Sequence, residues 1–387
     1  MKKLQFGTSK CVKMHVGRTC NDVLCNDLFV DGWKVQVISD DSSGKCSQKE
    51  TFCGPVKMGE VTEQMYLGDI ISADGSHRKN IEARKNKGLG IINNIMQILK
   101  SMFFGKYYFE VALILRSSLL LSSLLLNSEA WVNVSDSNIR SLEQTDEILL
   151  SKVLGSESNT SNIFKYLELG VYPVRFEIIK RKVIFLQYIL KQDKESMMFK
   201  VFQATLDQPT KNDFVSKCLK YLEVLNITIT FDEISEMSDF KFKSLVKEKT
   251  KAAAFKYLME LKNLPGKNTK IKNINYKSLG IQEYLLGGNE NTEVAKVIFA
   301  ARGRNLEIKE HKKWKYSDNI CVGCDKENES ENELLSCPGL VEQGHQKTNL
   351  LYKSLYSENT CEMFRVGTEI RKRLKCRKKI LEEKEPD

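Results

Sequence analysis

The first 75 residues alternate apolar and polar positions in short bursts. "KLQFG" and "CVKMHVG" read as strands around a loop at Thr8 and Ser9. "DLFVDGWKVQVI" alternates about Asp31-Gly32, a hairpin signal, and "EQMYLGDIIS" reads as one further strand closed by the turn "SADGS". After Gly75 the period lengthens. Ile81, Leu89, Ile92 and Ile95 recur at broadly helical intervals. An apolar helix is expected around 107–127. "DSNIRSLEQTDEILLSKVLG" has Asp136 or Ser137 as a cap and Gly155 as a stop. Ile178, Ile179, Val183, Leu186 and Leu190 share one helical face. Phe242, Leu245 and Val246 open another helix that should end near Pro265-Gly266. "NLPGKNTKIKN", 263–273, is polar and basic and reads as a linker. A short helix follows with Val294, Val297, Ile298 and Ala301 on one side, and the charged tail from about 348 is expected to be helical.

The fold class expected is therefore mainly α with a small N-terminal α+β piece. The divisions expected are 1–75, 76–205, 206–310, 311–345 and 346–387. A few strands cannot bury both faces of a sheet, so they should pack on helices or on something outside this chain. A chain of 387 residues exceeds what one core usually serves.

Composition is globular, with 41% apolar and 28% charged residues. The net charge of +10 favours a polyanionic partner. The 11 cysteines are odd in number, and "MKKLQFGTSKC" has no apolar core of a signal peptide. Free thiols in a reducing compartment, nucleus or cytoplasm, are expected. "VALILRSSLLLSSLLL", 111–126, is too short for a bilayer and contains Arg116, so it reads as a helix buried in protein, with no membrane partner.

From "EQMYLGDIISADGSHRKNI" onward the chain resembles the part of non-LTR (LINE-type) retrotransposon reverse transcriptases that follows the catalytic palm. The resemblance continues through "VALILRSSLLLSSLLLNSEAW", "IRSLEQTDEILLSKVL", "YLELGVYPVRFEIIKRKVIFLQYIL", "NINYKSLGIQEYLL" and "RGRNLEIKEHKKWKYSDNICVGC". It covers roughly residues 1–340. It implies truncated palm strands, then a helical thumb over 76–205 and a C-terminal helical domain. Tyr66, Leu67, Gly68 and Asp69 would lie in a primer-gripping strand. Lys10 would fall near a palm lysine that protonates the leaving pyrophosphate. Lys79, Arg84, Lys85 and Lys87 would meet the backbone of a template–primer duplex of RNA or DNA. Magnesium would belong only to an intact polymerase, because the aspartate pair that holds it lies upstream of "KLQFG" in the family. Asp40-Asp41, in "VISDDSSG", reads instead as a solvated turn. The expectation is a polymerase fragment that binds primed template without extending it. The alternative is a non-catalytic helical interaction protein, with or without zinc.

The last motif is "CVGCDKENESENELLSC", 321–337. Cys321, Cys324 and Cys337 form C-x2-C-x12-C, which supplies three of the four ligands structural zinc needs. The family has a histidine four residues before the last cysteine; this chain has Glu333 there, and His345 follows eight residues after Cys337. Three outcomes stand: zinc with His345, zinc with Glu333, or free thiols in an acidic loop. "RKRLKCRKK", 371–379, is the densest basic run, a phosphate-neutralising segment, an import signal or a solvated tail. Trp33, Trp131 and Trp314 read as buried anchors, with base stacking as the other role.

Overall fold

The computed structural model describes residues 62–384, apart from 67, 102–106, 133, 158, 211–212, 266–267, 287–291, 342–351 and 358, and short strands within 12–60. Lys10, Trp33, Asp41, Leu67 and His345 lie outside the described residues. The chain divides into two compact units, Met1–Ala83 and Arg84–Asp387. It is mainly helical with small two-stranded sheets.

In the first unit β1 (Val12–Lys13) runs parallel to β6 (Gly59–Glu60), and β2 (Phe29–Val30) is antiparallel to β5 (Val56–Lys57). β3 (Val35–Asp40) pairs antiparallel with β4 (Cys46–Thr51), and the turn expected at Asp31-Gly32 lies outside the described residues. The single strand expected at "EQMYLGDIIS" is a hairpin. β7 (Glu63–Tyr66) pairs with β8 (Asp69–Ser72), Tyr66 opposite Asp69, and Gly68 takes a φ of 85° that glycine alone adopts readily. Helix α1 (Arg78–Ser101) begins in this unit, and its Asn80 ties the hairpin down. The Asn80 amide donates to Asp69 Oδ1 at 2.9 Å and accepts the Ile70 N–H at 3.2 Å.

The second unit is a helical stack. α2 (Tyr108–Leu115) continues as a π-helical turn, Arg116–Leu121, and a last turn, α3 (Ser122–Leu124). Leu120, Leu124 and Leu125 are fully buried. Among the described residues no helix is long and apolar enough to cross a membrane. The charge inside this apolar run is satisfied in protein, because Arg116 makes a two-bonded pair with Asp146, both at 2.7 Å. Asp146 lies on α4 (Asp136–Leu154), which is capped by Ser135, one residue before the expected cap, and stopped by left-handed Gly155 as expected. α5 (Asn162–Leu169) and α6 (Val174–Leu190) follow. From α6, Arg181 donates to Leu125 O at 2.6 Å and Lys182 to Trp131 O, satisfying carbonyls that the ending helix leaves open.

Val183 and Leu186 of α6 also enter a second core with α7 (Met197–Asp207), α8 (Phe214–Val224), α9 (Phe231–Glu236) and α10 (Asp239–Lys262). The segment read as a linker is mostly exposed but pinned at two places: Ile271 is buried, and Asn268 bonds both Ser161 and the Leu261 carbonyl. Beyond it, residues 276–285 close on α5. Gly170 approaches Gly280 so nearly that a Cβ would lie 2.1 Å from the Gly280 carbonyl carbon. Behind that contact sits Glu168, fully buried. It accepts hydrogen bonds from Tyr276 Oη at 2.5 Å, from Tyr284 Oη, and from Arg302 Nη2 at 3.1 Å at the end of α11 (Thr292–Arg302). Burial and the Glu168 charge push both tyrosines well above their ordinary pKa. α12 (Glu331–Ser336) and α13 (Thr360–Lys384) complete the stack.

Candidate metal centre

Two loops and one helical turn gather four ligand atoms. The first loop is Cys321-Val322-Gly323-Cys324. A bridge between Ile320 and Asn328 closes its base, and the Cys321 N–H donates to Glu327 O at 2.7 Å. Asp325 turns left-handed, with φ 54°, as the loop leaves Cys324. The "KENESEN" stretch is thus built into the site. The second loop, Cys337-Pro338-Gly339, follows α12. Ser330 caps that helix by accepting the Glu333 N–H at 3.1 Å. The cap places the Glu333 side chain one turn before Cys337, whose N–H returns to Glu333 O at 2.8 Å.

The loops meet on glycines. A Cβ on Gly323 would sit 2.7 Å from the Leu340 side chain, and one on Gly339 would overlap the Gly323 carbonyl oxygen at 1.8 Å. This approach brings Cys321 Sγ to 3.6 Å from Cys337 Sγ and Cys324 Sγ to 3.4 Å from Glu333 Oε1. All four ligand atoms lie within 4.8 Å of one another. A tetrahedron with zinc's bond lengths needs about 3.8 Å between sulfurs and about 3.5 Å from sulfur to oxygen. The cluster can therefore hold a metal ion with little rearrangement. Burial raises the pKa of the Cys321 and Cys337 thiols. The N–H groups of Gly323 and Cys324 at Cys321, and of Gly339 at Cys337, act the other way. A bound divalent cation would favour the thiolates further.

Helix α13 holds this module. Met363, Val366 and Ile370 form its buried stripe, and Arg373 and Arg377 continue it inward. Arg373 Nη1 donates to Leu334 O at 3.2 Å and Cys337 O at 2.9 Å, while its Nε meets Glu369 at 2.8 Å. Arg377 makes two bonds of 2.9 Å to Glu329, and Glu329 also accepts the Lys309 N–H at 2.7 Å. These two arginines of "RKRLKCRKK" are thus internal braces. Their neighbours differ: Arg365, Lys372, Lys375 and Lys379 fall on one exposed face of the same helix. Among the described residues none of the four makes an ion pair.

His311 is not part of the cluster. Its Nδ1 accepts the Leu306 N–H at 3.0 Å and its Nε2 faces Glu331 Oε1 at 2.8 Å. Burial opposes ionisation of Glu331, but His311 and Arg304 outweigh it and hold the carboxyl below its ordinary pKa.

The remaining sequence-derived residues are scattered. Tyr66 is 61% exposed, Gly68 forms the hairpin turn, and Asp69 is held by Asn80. Lys79 is ion-paired with Glu63. Lys87 is exposed and Lys85 half-buried, whereas Arg84 is 4% exposed. At that exposure Arg84 offers a phosphate backbone little surface, unlike Lys85 and Lys87. Trp131 is the buried anchor expected, at 2%, but Trp314 is 76% exposed. Sequence reasoning placed Arg373 and Arg377 in the basic run with their neighbours and missed that they are buried on Glu329 and the Cys337 loop. The signal was present as phase, since 363, 366, 370, 373 and 377 step by three and four residues. Comparison with family models, curated proteins and solved structures finds no match to this chain.

Proposed function

We propose that the protein binds nucleic acid, that zinc fills the Cys321, Cys324, Glu333 and Cys337 cluster, and that the chain corresponds to the template-gripping part of a non-LTR reverse transcriptase. In that reading it serves RNA-directed DNA synthesis by holding a template–primer duplex. The observation that supports nucleic-acid binding is the division of labour on α13. Arg373 and Arg377 are buried braces. They fix the outward stripe of Arg365, Lys372, Lys375 and Lys379, which spans about 21 Å at 1.5 Å per residue. Unpaired cations at fixed spacing suit a phosphate backbone, to which they would bind without regard to sequence. The zinc would be structural, holding the two loops on which α13 is seated.

The test is binding of the full chain to an RNA–DNA hybrid at graded salt. The wild type should show a steep fall in affinity. A triple variant, Lys372→Gln, Lys375→Gln and Lys379→Gln, should lose up to about 2.7 from the slope of log K against log salt. A matched triple on α10, at Lys243, Lys247 and Lys251, controls for net charge. Absence of wild-type binding at low salt would instead favour the helical interaction protein.

A further inference from the structure

Trp314 is the most exposed tryptophan among the described residues, at 76%. It is not on a loose loop. On one side Lys312 is 1% exposed and its ammonium is paired with Glu157. The Lys312 N–H reaches Ile308 O at 3.0 Å, and Lys315 N–H returns to Lys312 O at 2.8 Å. On the other side the Tyr316 ring lies against three cations. The Arg377 guanidinium is 5.4 Å from its centroid, Lys315 Nζ 5.7 Å and Lys309 Nζ 5.9 Å. Two fixed neighbours therefore hold a large aromatic ring out in water.

The charges around it favour an anionic visitor. Each carboxylate in the stretch 307–318 is already held: Glu307 by Lys315, Glu310 by Arg304, Asp318 by Lys309. Lys313, the preceding residue, is exposed and makes no ion pair among the described residues. An exposed indole one residue from an uncommitted lysine fits an unpaired nucleobase and its phosphate. Stacking accepts any base because each has a π-face.

We propose that Trp314 is a stacking platform for an unpaired nucleotide of single-stranded RNA or DNA, with Lys313 at the adjoining phosphate. This rests on the nucleic-acid reading above and adds to the duplex a strand with free bases. A base pair inside a duplex presents no such face, so a hybrid duplex would gain nothing from the ring.

The experiment uses the full chain, a labelled 20-nucleotide oligothymidylate and an RNA–DNA hybrid of the same length. Trp314→Ala should weaken oligothymidylate binding by about 5- to 150-fold, the range for one stacked base. It should leave the hybrid affinity and the salt slope unchanged. Trp314→Phe should recover part of the loss, and indole emission should be quenched by oligothymidylate more than by an abasic strand. Wild-type-like binding of the single strand by Trp314→Ala, with the wild type still salt-sensitive, would overturn the platform alone. So would an equal loss on both ligands, or a wild-type dimer that the variant converts to monomer. A wild type that binds neither ligand would overturn the nucleic-acid reading itself.

Discussion

Replacing Arg377 by Met tests whether α13 is braced from inside. The Arg377 and Glu329 side chains are 4% and 0% exposed and share two bonds of 2.9 Å. Losing the guanidinium leaves an ionised carboxylate in the interior with one backbone N–H, from Lys309, for compensation. Breaking one side of such a pair costs about 3–5 kcal/mol, whereas replacing both sides by neutral groups is often close to neutral. The double variant Glu329→Gln, Arg377→Met keeps an acceptor for Lys309 and should recover most of the loss. The chain has two units, so a single unfolding transition is a poor readout. Amide hydrogen exchange in α13 and residues 320–340 reads the local opening directly. Protection should fall by about 150- to 5,000-fold in Arg377→Met and by far less in the double variant. Arg377→Lys should lie between, because an ammonium keeps the charge and loses the fork. Equal loss in the single and double variants would refute the brace, as would a single variant within tenfold of wild type.

Three further outcomes are expected. Glu333→Gln should weaken zinc binding on the order of tenfold or more, and Glu333→His should strengthen it by completing a Cys3His set. Competition with a chromophoric chelator measures both, and an unchanged Glu333→Gln affinity would remove Glu333 from the ligand set. Gly339→Ala should open the paired loops, since its Cβ would overlap the Gly323 carbonyl; zinc stoichiometry by elemental analysis should fall, and full loading would refute the contact. Burial lowers Lys182 from 10.5 to about 8. The unfolded chain therefore binds the extra proton between about pH 8 and 10.5, and wild-type stability should rise with pH there relative to Lys182→Met. The gain should reach roughly 3 kcal/mol in paired denaturant titrations read at the transition of the unit that contains α6, and a flat difference would refute the shift.

The helices were legible because their phase and stops are local. Gly155 ends α4 in a left-handed turn that its lack of a Cβ makes cheap. Glu333 was legible as a candidate ligand because the family resemblance puts a histidine at its place, four residues before Cys337. The hairpin at Tyr66–Asp69 was not, because "EQMYLGDIIS" keeps a strand-like composition through its turn, and Gly68 alone signals the reversal. The segment 263–273 looked like a linker because its lysines and asparagines are polar. Its two anchor points depend on partners distant in sequence, such as Ser161 for Asn268. The split of "RKRLKCRKK" into inward and outward cations needs the helix phase together with Glu329, whose burial no local pattern announces.

The carboxylate of Glu168 has a consequence for biosynthesis. Its guanidinium partner lies 134 residues further along the chain. At 5–20 residues per second, a nascent chain carries that unmatched charge for roughly 7–27 s before Arg302 is made. During this interval the Glu168 carboxylate stays solvated, and its burial against α11 waits for the distant partners. Yield on expression should therefore depend on translation speed and on chaperones that shield this helix until its distant partners emerge.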